Sequence, residues 1–259
     1  MTQTALITGA SSGIGRELAQ VMAADGLNLV LVARRADKLE ELAQQLQQQY
    51  LIQVRVLPKD LAQPEAPAAL VRELQAAQVN VEILVNNAGF GGYGFFAETD
   101  WTREAQMLQV NVVALTQLTK LLLPDMIARK HGFILNVAST AAFIPGPLMA
   151  VYYATKAYVL SFSEAIANEV QGTGVSVTVL CPGPTASEFQ NRAHMNQVRL
   201  LKQMQLMAAA PVALAGYRAL RRRQAIAVPG FSNQALTVLR RLLPRPLVRA
   251  LVRYLQSPA

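Results

Sequence analysis

Tyr152 and Lys156 stand four residues apart, so on a helix they share one face. Ser139 lies thirteen residues before Tyr152, at the end of an apolar run that reads as a strand over 132–138. A hydroxyl, a phenol and an ammonium in this order suit proton transfer to a carbonyl that accepts hydride. The alkoxide formed needs a proton, and a free phenol, titrating near ~10, is a poor acid at neutral pH. A nearby cation stabilises phenolate and lowers that value. A serine hydroxyl can donate to the carbonyl oxygen as charge develops on it. Taken singly, each residue has a plainer explanation: Ser139 as a turn residue, Tyr152 as a packed aromatic, Lys156 as a surface lysine. Tyr153 is adjacent but lacks the four-residue spacing to Lys156.

Hydride chemistry needs a donor, and the N-terminal region carries a loop for one. A short apolar run over 3–8 leads into Thr8-Gly9-Ala10-Ser11-Ser12-Gly13-Ile14-Gly15 and then a helical pattern. Gly9 permits a tight turn, Gly13 lets backbone approach a pyrophosphate, and Gly15 lets the helix pack closely on the sheet. The helix N-terminus offers unpaired N–H groups to the phosphates. The second strand ends Ala33-Arg34-Arg35, with no carboxylate to hold a ribose 2′-hydroxyl. A guanidinium there suits a 2′-phosphate, so NADP(H) is the preferred cofactor and NAD(H) the alternative. Asp60, followed by Leu61, either meets the adenine amino group or caps a turn. The literal G-x-G-x-x-G at Gly89–Gly94 opens no helix, and reads as a flexible loop on the substrate side. No metal site is expected.

The elements that must position these groups alternate along the chain. Apolar strands are expected at 3–8, 27–33, 52–57, 81–85, 132–138, 175–180 and 225–228. Helices are expected at 13–24, 36–49, 65–77, 100–129 and 151–170. Regular alternation of this kind means βαβ units and a parallel sheet, and uniformly apolar strands mean a sheet buried on both faces. The uncharged stretch 132–155 is interrupted by Asn136, Ser139, Pro145, Gly146 and Pro147, so it reads as strand, loop and helix start rather than a membrane span.

The chain has 259 residues, 52% of them apolar and 15% charged, enough for a large core and too apolar for disorder. Its one cysteine, Cys181, excludes an internal disulfide framework and suggests a reducing compartment. The N-terminus lacks the basic and apolar regions of a signal peptide, so a cytoplasmic location is expected. The net charge of +8 is unevenly spread. Residues 1–189 hold 12 basic and 16 acidic side chains, a net of −4, whereas residues 190–259 hold 12 basic and no acidic ones, a net of +12.

With Asn86-Asn87-Ala88-Gly89, Asn111 and Pro182-Gly183 added to the glycine loop, Ser139 and Tyr152-x3-Lys156, the chain resembles the short-chain dehydrogenase/reductase family over about residues 4–230. The resemblance implies an α/β fold with a Rossmann-type doubly wound parallel sheet of about seven strands. It implies that Asn86 to Gly89 steady the central sheet and line the adenine-ribose side. Asn111 would complete a tetrad, holding a water that relays protons to Lys156. Pro182, Gly183, Thr185 and Ser187 would face the nicotinamide, and Arg34 would mark NADP preference. It implies dimers or tetramers packed through the helices at 100–129 and 151–170. His131 and His194 match no catalytic position and read as surface or pocket-lining residues.

Fold does not choose a substrate. Phe90, Tyr93, Phe143, Ile144, Met149 and Phe189 are expected to border the pocket, which points to a hydrophobic carbonyl or alcohol. The leading reading is an NADP(H)-dependent carbonyl reductase or alcohol dehydrogenase. The alternatives are a 3-ketoacyl-thioester reductase, on a carrier protein or coenzyme A, and a non-catalytic nucleotide-binding regulator. Residues 1–230 read as the catalytic domain and 231–259 as a basic amphipathic extension. Within it, Arg240, Arg241, Arg245, Arg249 and Arg253 stand among Leu and Val, and Pro244 and Pro246 separate two short helices. Such a helix can pack on its own domain, lie peripherally on an anionic membrane, or dock an acidic carrier protein. Nucleic acid is not an expected partner, because no binding motif accompanies the charge.

Overall fold

The computed structural model describes residues 3–193, 198–199, 206–239 and 243–258. His194, Arg240 and Arg241 lie outside the described residues. The first half runs β1 (Thr4–Thr8), α1 (Gly13–Ala24), β2 (Asn28–Ala33), α2 (Ala36–Gln49), β3 (Val54–Pro58), α3 (Ala66–Ala76) and β4 (Ile83–Asn86). Then come α4 (Trp101–Leu108), a π-helical turn (Gln109–Ala114), α5 (Leu115–Ala128), β5 (Gly132–Val137), α6 (Ala150–Glu169) and β6 (Val175–Leu180). The chain ends with α7 (Phe189–Arg192), α8 (Ala209–Arg221), β7 (Ile226–Ala227), α9 (Phe231–Leu239) and α10 (Arg245–Gln256). The strands start and end within a few residues of the expected positions.

The seven strands pair in parallel in the order β3-β2-β1-β4-β5-β6-β7. Alternate residues point to opposite faces, and both faces are covered. Leu6, Val30 and Leu84 pack against Leu70 and Leu74 of α3 and Leu118 and Leu122 of α5. Ile7, Leu31 and Val85 pack against Leu18 and Met22 of α1 and Leu39 of α2. This is why the strands read as unbroken apolar runs. The chain winds outward from β1 to β3 on one side and from β4 to β7 on the other. The crevice beyond the ends of β1 and β4 is therefore the topological switch point, where ligands bind in open sheets.

One expected helix is interrupted. The periodicity over 100–129 predicts a continuous α-helix, yet residues 109–114 form a π-helical turn. A wider turn of this kind is frequent at functional sites, and here it carries Val110, Asn111 and Ala114 inward together. The whole segment Trp101–Ala128 is long and apolar enough to cross a membrane by length and composition alone. In this fold Leu118, Leu122 and Met126 are buried against Leu84 and Ile134, as in a core helix.

Leu31 is fully buried in β2, and Leu51, before β3, is fully exposed. Leu31→Ala is expected to lower unfolding stability by about 2–5 kcal/mol. Leu51→Ala is expected to change it by less than about 0.5 kcal/mol. Urea unfolding followed by circular dichroism reads both.

Candidate active site

The C-terminal ends of the strands open into a cavity of about 600 Å³. It brings together Gly9, Ser11, Ser12, Gly13 and Ile14 from the glycine loop, Arg34 and Arg35 after β2, and Asp60 and Leu61 after β3. Asn87, Ala88 and Gly89 after β4 join them, as do Ser139, Tyr152, Lys156, Pro182, Gly183, Thr185 and Ser187. Two expected site residues do not line it. Gly15 lies beneath the loop, where an added Cβ would fall 2.4 Å from the Gly9 carbonyl oxygen. Asn111 sits behind the wall, 1% exposed.

The loop is held by β4. The Asn87 side-chain amide donates to the carbonyls of Thr8 and Gly9, at 2.9 and 3.2 Å. The Thr8 hydroxyl accepts from the backbone N–H groups of Asn87 and Ala88, both at 3.0 Å, and donates to the Val85 carbonyl. Gly9 has φ +67°, and a Cβ there would lie 2.9 Å from the Ala88 Cα, so glycine is required twice over. Beneath, the Asn86 amide donates to Thr119 Oγ1 and Asn136 Oδ1, and the Asn136 amide donates to Ser163 Oγ. This buried chain joins β4, β5, α5 and α6, so an amide in the core has a place to bond. The Ser12 side chain does not cap α1, which leaves the first-turn N–H groups free of side-chain partners where the helix meets the cavity.

Where the cavity passes the ends of β2 and β3, Arg35 is engaged with Ser11 Oγ at 3.2 Å and with the Glu188 carboxylate at 3.0 Å. Arg34 makes no ion pair among the described residues, and no acid stands at the end of β2 or at 34–36; the first, Asp37, is in the opening turn of α2. Asp60 Oδ1 accepts from Ala62 N at 3.1 Å, the turn-capping geometry. At the other end, the Thr185 hydroxyl donates to the Gly183 carbonyl at 2.9 Å, and Ser187 sits closest to Gly13.

Tyr152 and Lys156 occupy the first two turns of α6 and are 8% and 6% exposed. Lys156 Nζ donates to the Val137 carbonyl at 2.8 Å and lies 5.8 Å from the centre of the Tyr152 ring. Burial pushes the Tyr152 phenol well above the usual tyrosine range, and its hydrogen bond with the Ser139 hydroxyl draws it partly back. The spacing predicts that Lys156 lowers the phenol. In the structure desolvation is the larger influence on both groups, and it lowers the Lys156 ammonium to about 8. Cys181 lies near Lys156, but burial holds its thiol up at about 12, which makes it inert as a nucleophile.

Asn111 is fixed by a pair of bonds with the Phe90 backbone and by donation to Thr155 Oγ1 at 3.1 Å. A Cβ on Gly89 would lie 3.0 Å from Asn111 Oδ1 and 3.5 Å from Lys156 Nζ. The two side chains thus flank one small space that glycine leaves clear.

Phe90, Phe143, Ile144, Met149 and Phe189 line the cavity as expected; Tyr93 does not. Its hydroxyl instead donates to the Gln256 carbonyl at 2.6 Å, because α10 lies over this loop. His131 is also remote, bonded to Gln3 before β1. The sequence reading missed the contribution of the C-terminal helices: Asn233, Leu236, Leu239, Leu243, Val248, Leu251, Val252, Leu255 and Gln256 all line the cavity. The spacing of Val248, Val252 and Gln256 was the available signal for an inward face; nothing in the sequence marked where that face would pack.

The sequence profile of the short chain dehydrogenases matches residues 3–197. A very-long-chain 3-oxoacyl-CoA reductase from Phaeosphaeria nodorum is 39% identical over 178 residues, which are 67% of this chain and 52% of that protein. The chain thus spans about half the length of this curated relative. A short-chain dehydrogenase from Sphingobium yanoikuyae, solved in complex with NADPH, is 32% identical and superposes with a TM-score of 0.83 over 92% of this chain and 94% of that one. A Burkholderia phymatum short chain dehydrogenase/reductase solved with NAD has a TM-score of 0.84 at 26% identity, over 93% of each chain.

The lowered Lys156 value carries a stability signature. Its ordinary value is 10.5, so above about pH 8 the unfolded chain holds a proton that the folded one has lost, and stability rises with pH. Cys181 and Tyr152 are raised and act oppositely, but only above their ordinary values of 9.0 and 10.0. Between pH 8 and 9 the wild type is therefore expected to gain about 1 kcal/mol relative to Lys156→Met. Denaturant unfolding of both at each pH measures the difference.

Proposed function

Since the chain belongs to the short-chain dehydrogenase family, we propose that it is an NADP(H)-dependent oxidoreductase interconverting a carbonyl and a secondary alcohol on a hydrophobic substrate. The observation that carries this reading is one cavity holding the glycine loop at one end and Ser139, Tyr152 and Lys156 at the other. The residues present suit a dinucleotide. The side-chain-free loop at Gly9 and Gly13 and the uncapped start of α1 offer room and N–H donors to a pyrophosphate. Asp60, Leu61, Asn87, Ala88 and Gly89 would border the adenosine half, and Pro182, Gly183, Thr185 and Ser187 the nicotinamide half. When bound, the nicotinamide supplies or accepts the hydride.

The chain's own residues manage the proton. Ser139 donates to the carbonyl oxygen of the substrate as negative charge grows on it. Tyr152 delivers its phenolic proton to that oxygen, and takes one from the alcohol in the reverse direction. Lys156 holds a cation beside the ring, so the phenolate left behind is stabilised, and its remaining protons would be available to the ribose hydroxyls of a bound dinucleotide. Asn111 fixes the Phe90 backbone and one side of the space beside Lys156, through which a water can return the proton.

NADP(H) rather than NAD(H) is favoured by the lack of a carboxylate at the end of β2, where Arg34 and Arg35 stand instead, and by Arg34, which has no competing ion pair among the described residues. The apolar wall at Phe90, Ile144, Met149 and Phe189 supports a hydrophobic substrate. A second reading, reduction of a 3-oxoacyl thioester, is supported by the similarity to the very-long-chain 3-oxoacyl-CoA reductase of Phaeosphaeria nodorum and by the leucines that extend the cavity. We place self-association, as a dimer or tetramer, on the segment Trp101–Ala128 and on α6, where Val113, Leu121 and Tyr158 are exposed.

A panel of ketones, 3-oxoacyl thioesters and alcohols, followed by NADPH and NADH absorbance side by side, tests the reading. Turnover with NADPH is expected, and none on any of them would refute it. Arg34→Ala is expected to cut kcat/KM for NADPH about ten- to hundredfold, the worth of a charge-assisted phosphate contact, with little change for NADH.

A further inference from the structure

The last two helices wall the cavity on one side and meet solvent on the other, and their outer surface is unusually apolar. In α10, Val248, Val252 and Gln256 form the buried row. The helix is tied down at its end: the Tyr93 hydroxyl donates to the Gln256 carbonyl, and the Gln256 amide donates to the Tyr153 hydroxyl, both at 2.6 Å. Its outward arc carries Leu247, Leu251 and Tyr254 at 54%, 50% and 54% exposure. Arg245, Arg249 and Arg253, also exposed, recur every four residues and form a separate row on the other side of the buried one, nearly opposite the leucines. Helix α9 adds Leu236 and Leu239, also half exposed.

Leu236, Leu239 and Leu251 line the cavity and are half exposed, so they stand where it opens. The mouth is thus rimmed by leucine and continuous with an apolar surface. Across from α10, the Arg253 guanidinium lies 4.7 Å from the Phe95 ring centre, and Phe95 and Phe96 are themselves exposed. A continuous exposed apolar surface of this kind marks a binding face.

Charge decides what it fits. Residues 190–259 carry 12 basic and no acidic side chains. A second copy meeting this face through a two-fold axis would bring like charges together. An acidic protein would answer the arginines but not a row of leucines around a cavity mouth. A lipid surface answers both: leucine and tyrosine enter the boundary between head groups and acyl chains, and long arginines on the opposite, polar side of the helix reach up to head-group phosphates, the arrangement of an amphipathic helix lying in the interface.

We propose that α9 and α10 dock the protein on an anionic lipid surface, with Leu247, Leu251 and Tyr254 inserted and Arg245, Arg249 and Arg253 on head-group phosphates. The mouth of the cavity then faces the lipid, and an apolar substrate enters from it without crossing water. Docking is independent of the redox reading; only the substrate's route rests on it.

Co-sedimentation of the full chain with phosphatidylcholine vesicles, with and without phosphatidylglycerol, tests this. The protein is expected to bind the mixed vesicles, to bind pure phosphatidylcholine more weakly, and to be released by salt. The pair Leu247→Gln and Leu251→Gln is expected to weaken binding roughly tenfold or more through lost apolar burial. Arg245→Gln with Arg249→Gln should weaken it by a similar factor, only on the mixed vesicles. Leu51→Gln, at the opposite edge of the sheet, should bind as wild type. Circular dichroism melting of each variant confirms folding. Tyr152→Phe should also bind as wild type, which separates docking from catalysis. Absence of binding to either vesicle would overturn the proposal. So would undiminished binding by both double variants, or a dimer that the leucine substitutions dissociate.

Discussion

A buried ammonium organises this site. Lys156 is 6% exposed, and among the described residues its ammonium donates to the Val137 carbonyl. A cation in such a place is unfavourable unless partners surround it, and the lowered value of its ammonium records that burden. The arrangement is tolerable because its partners come from different elements that the sheet fixes. Tyr152 lies one turn earlier on α6, Val137 ends β5, and the space beside Gly89 adjoins both Lys156 and Asn111. A dinucleotide's ribose hydroxyls would complete the shell. Burial acts on Tyr152 in the same place, where it raises the phenol.

The fold supplies this geometry through a few polar bonds in an otherwise apolar sheet. Thr8 and Asn87 join the ends of β1 and β4 at the switch point, and they also shape the glycine loop. Asn86 and Asn136, paired across β4 and β5, reach Thr119 on α5 and Ser163 on α6. These amides sit where Leu or Val would suit the core better on burial alone, and they define the register of the strands that carry the site.

Much of this was legible in the sequence because the pieces are local. Strand, glycine loop and helix follow one another over residues 4–24, and Tyr152 and Lys156 share a helix face by spacing alone. The β-strands read correctly because a sheet covered on both sides demands unbroken apolar runs. What stayed hidden depends on distant contacts. The π-helical turn around Asn111 is set by the Phe90 backbone and Thr155, which no local pattern announces. Tyr93 reads as pocket lining until α10 arrives to take its hydroxyl. The amphipathic character of residues 245–256 was plain, but its place over the cavity mouth required the fold.

The most direct measurement separates cofactor binding from proton transfer at one atom. Tyr152→Phe removes the phenolic oxygen and keeps the ring that packs on Phe189. NADPH binding, read by fluorescence titration, is expected to stay within a few-fold of wild type. Carbonyl reduction under saturating NADPH is expected to fall by at least about a hundredfold. Reduction at a near wild-type rate by the variant would contradict the assignment of Tyr152 as the proton donor.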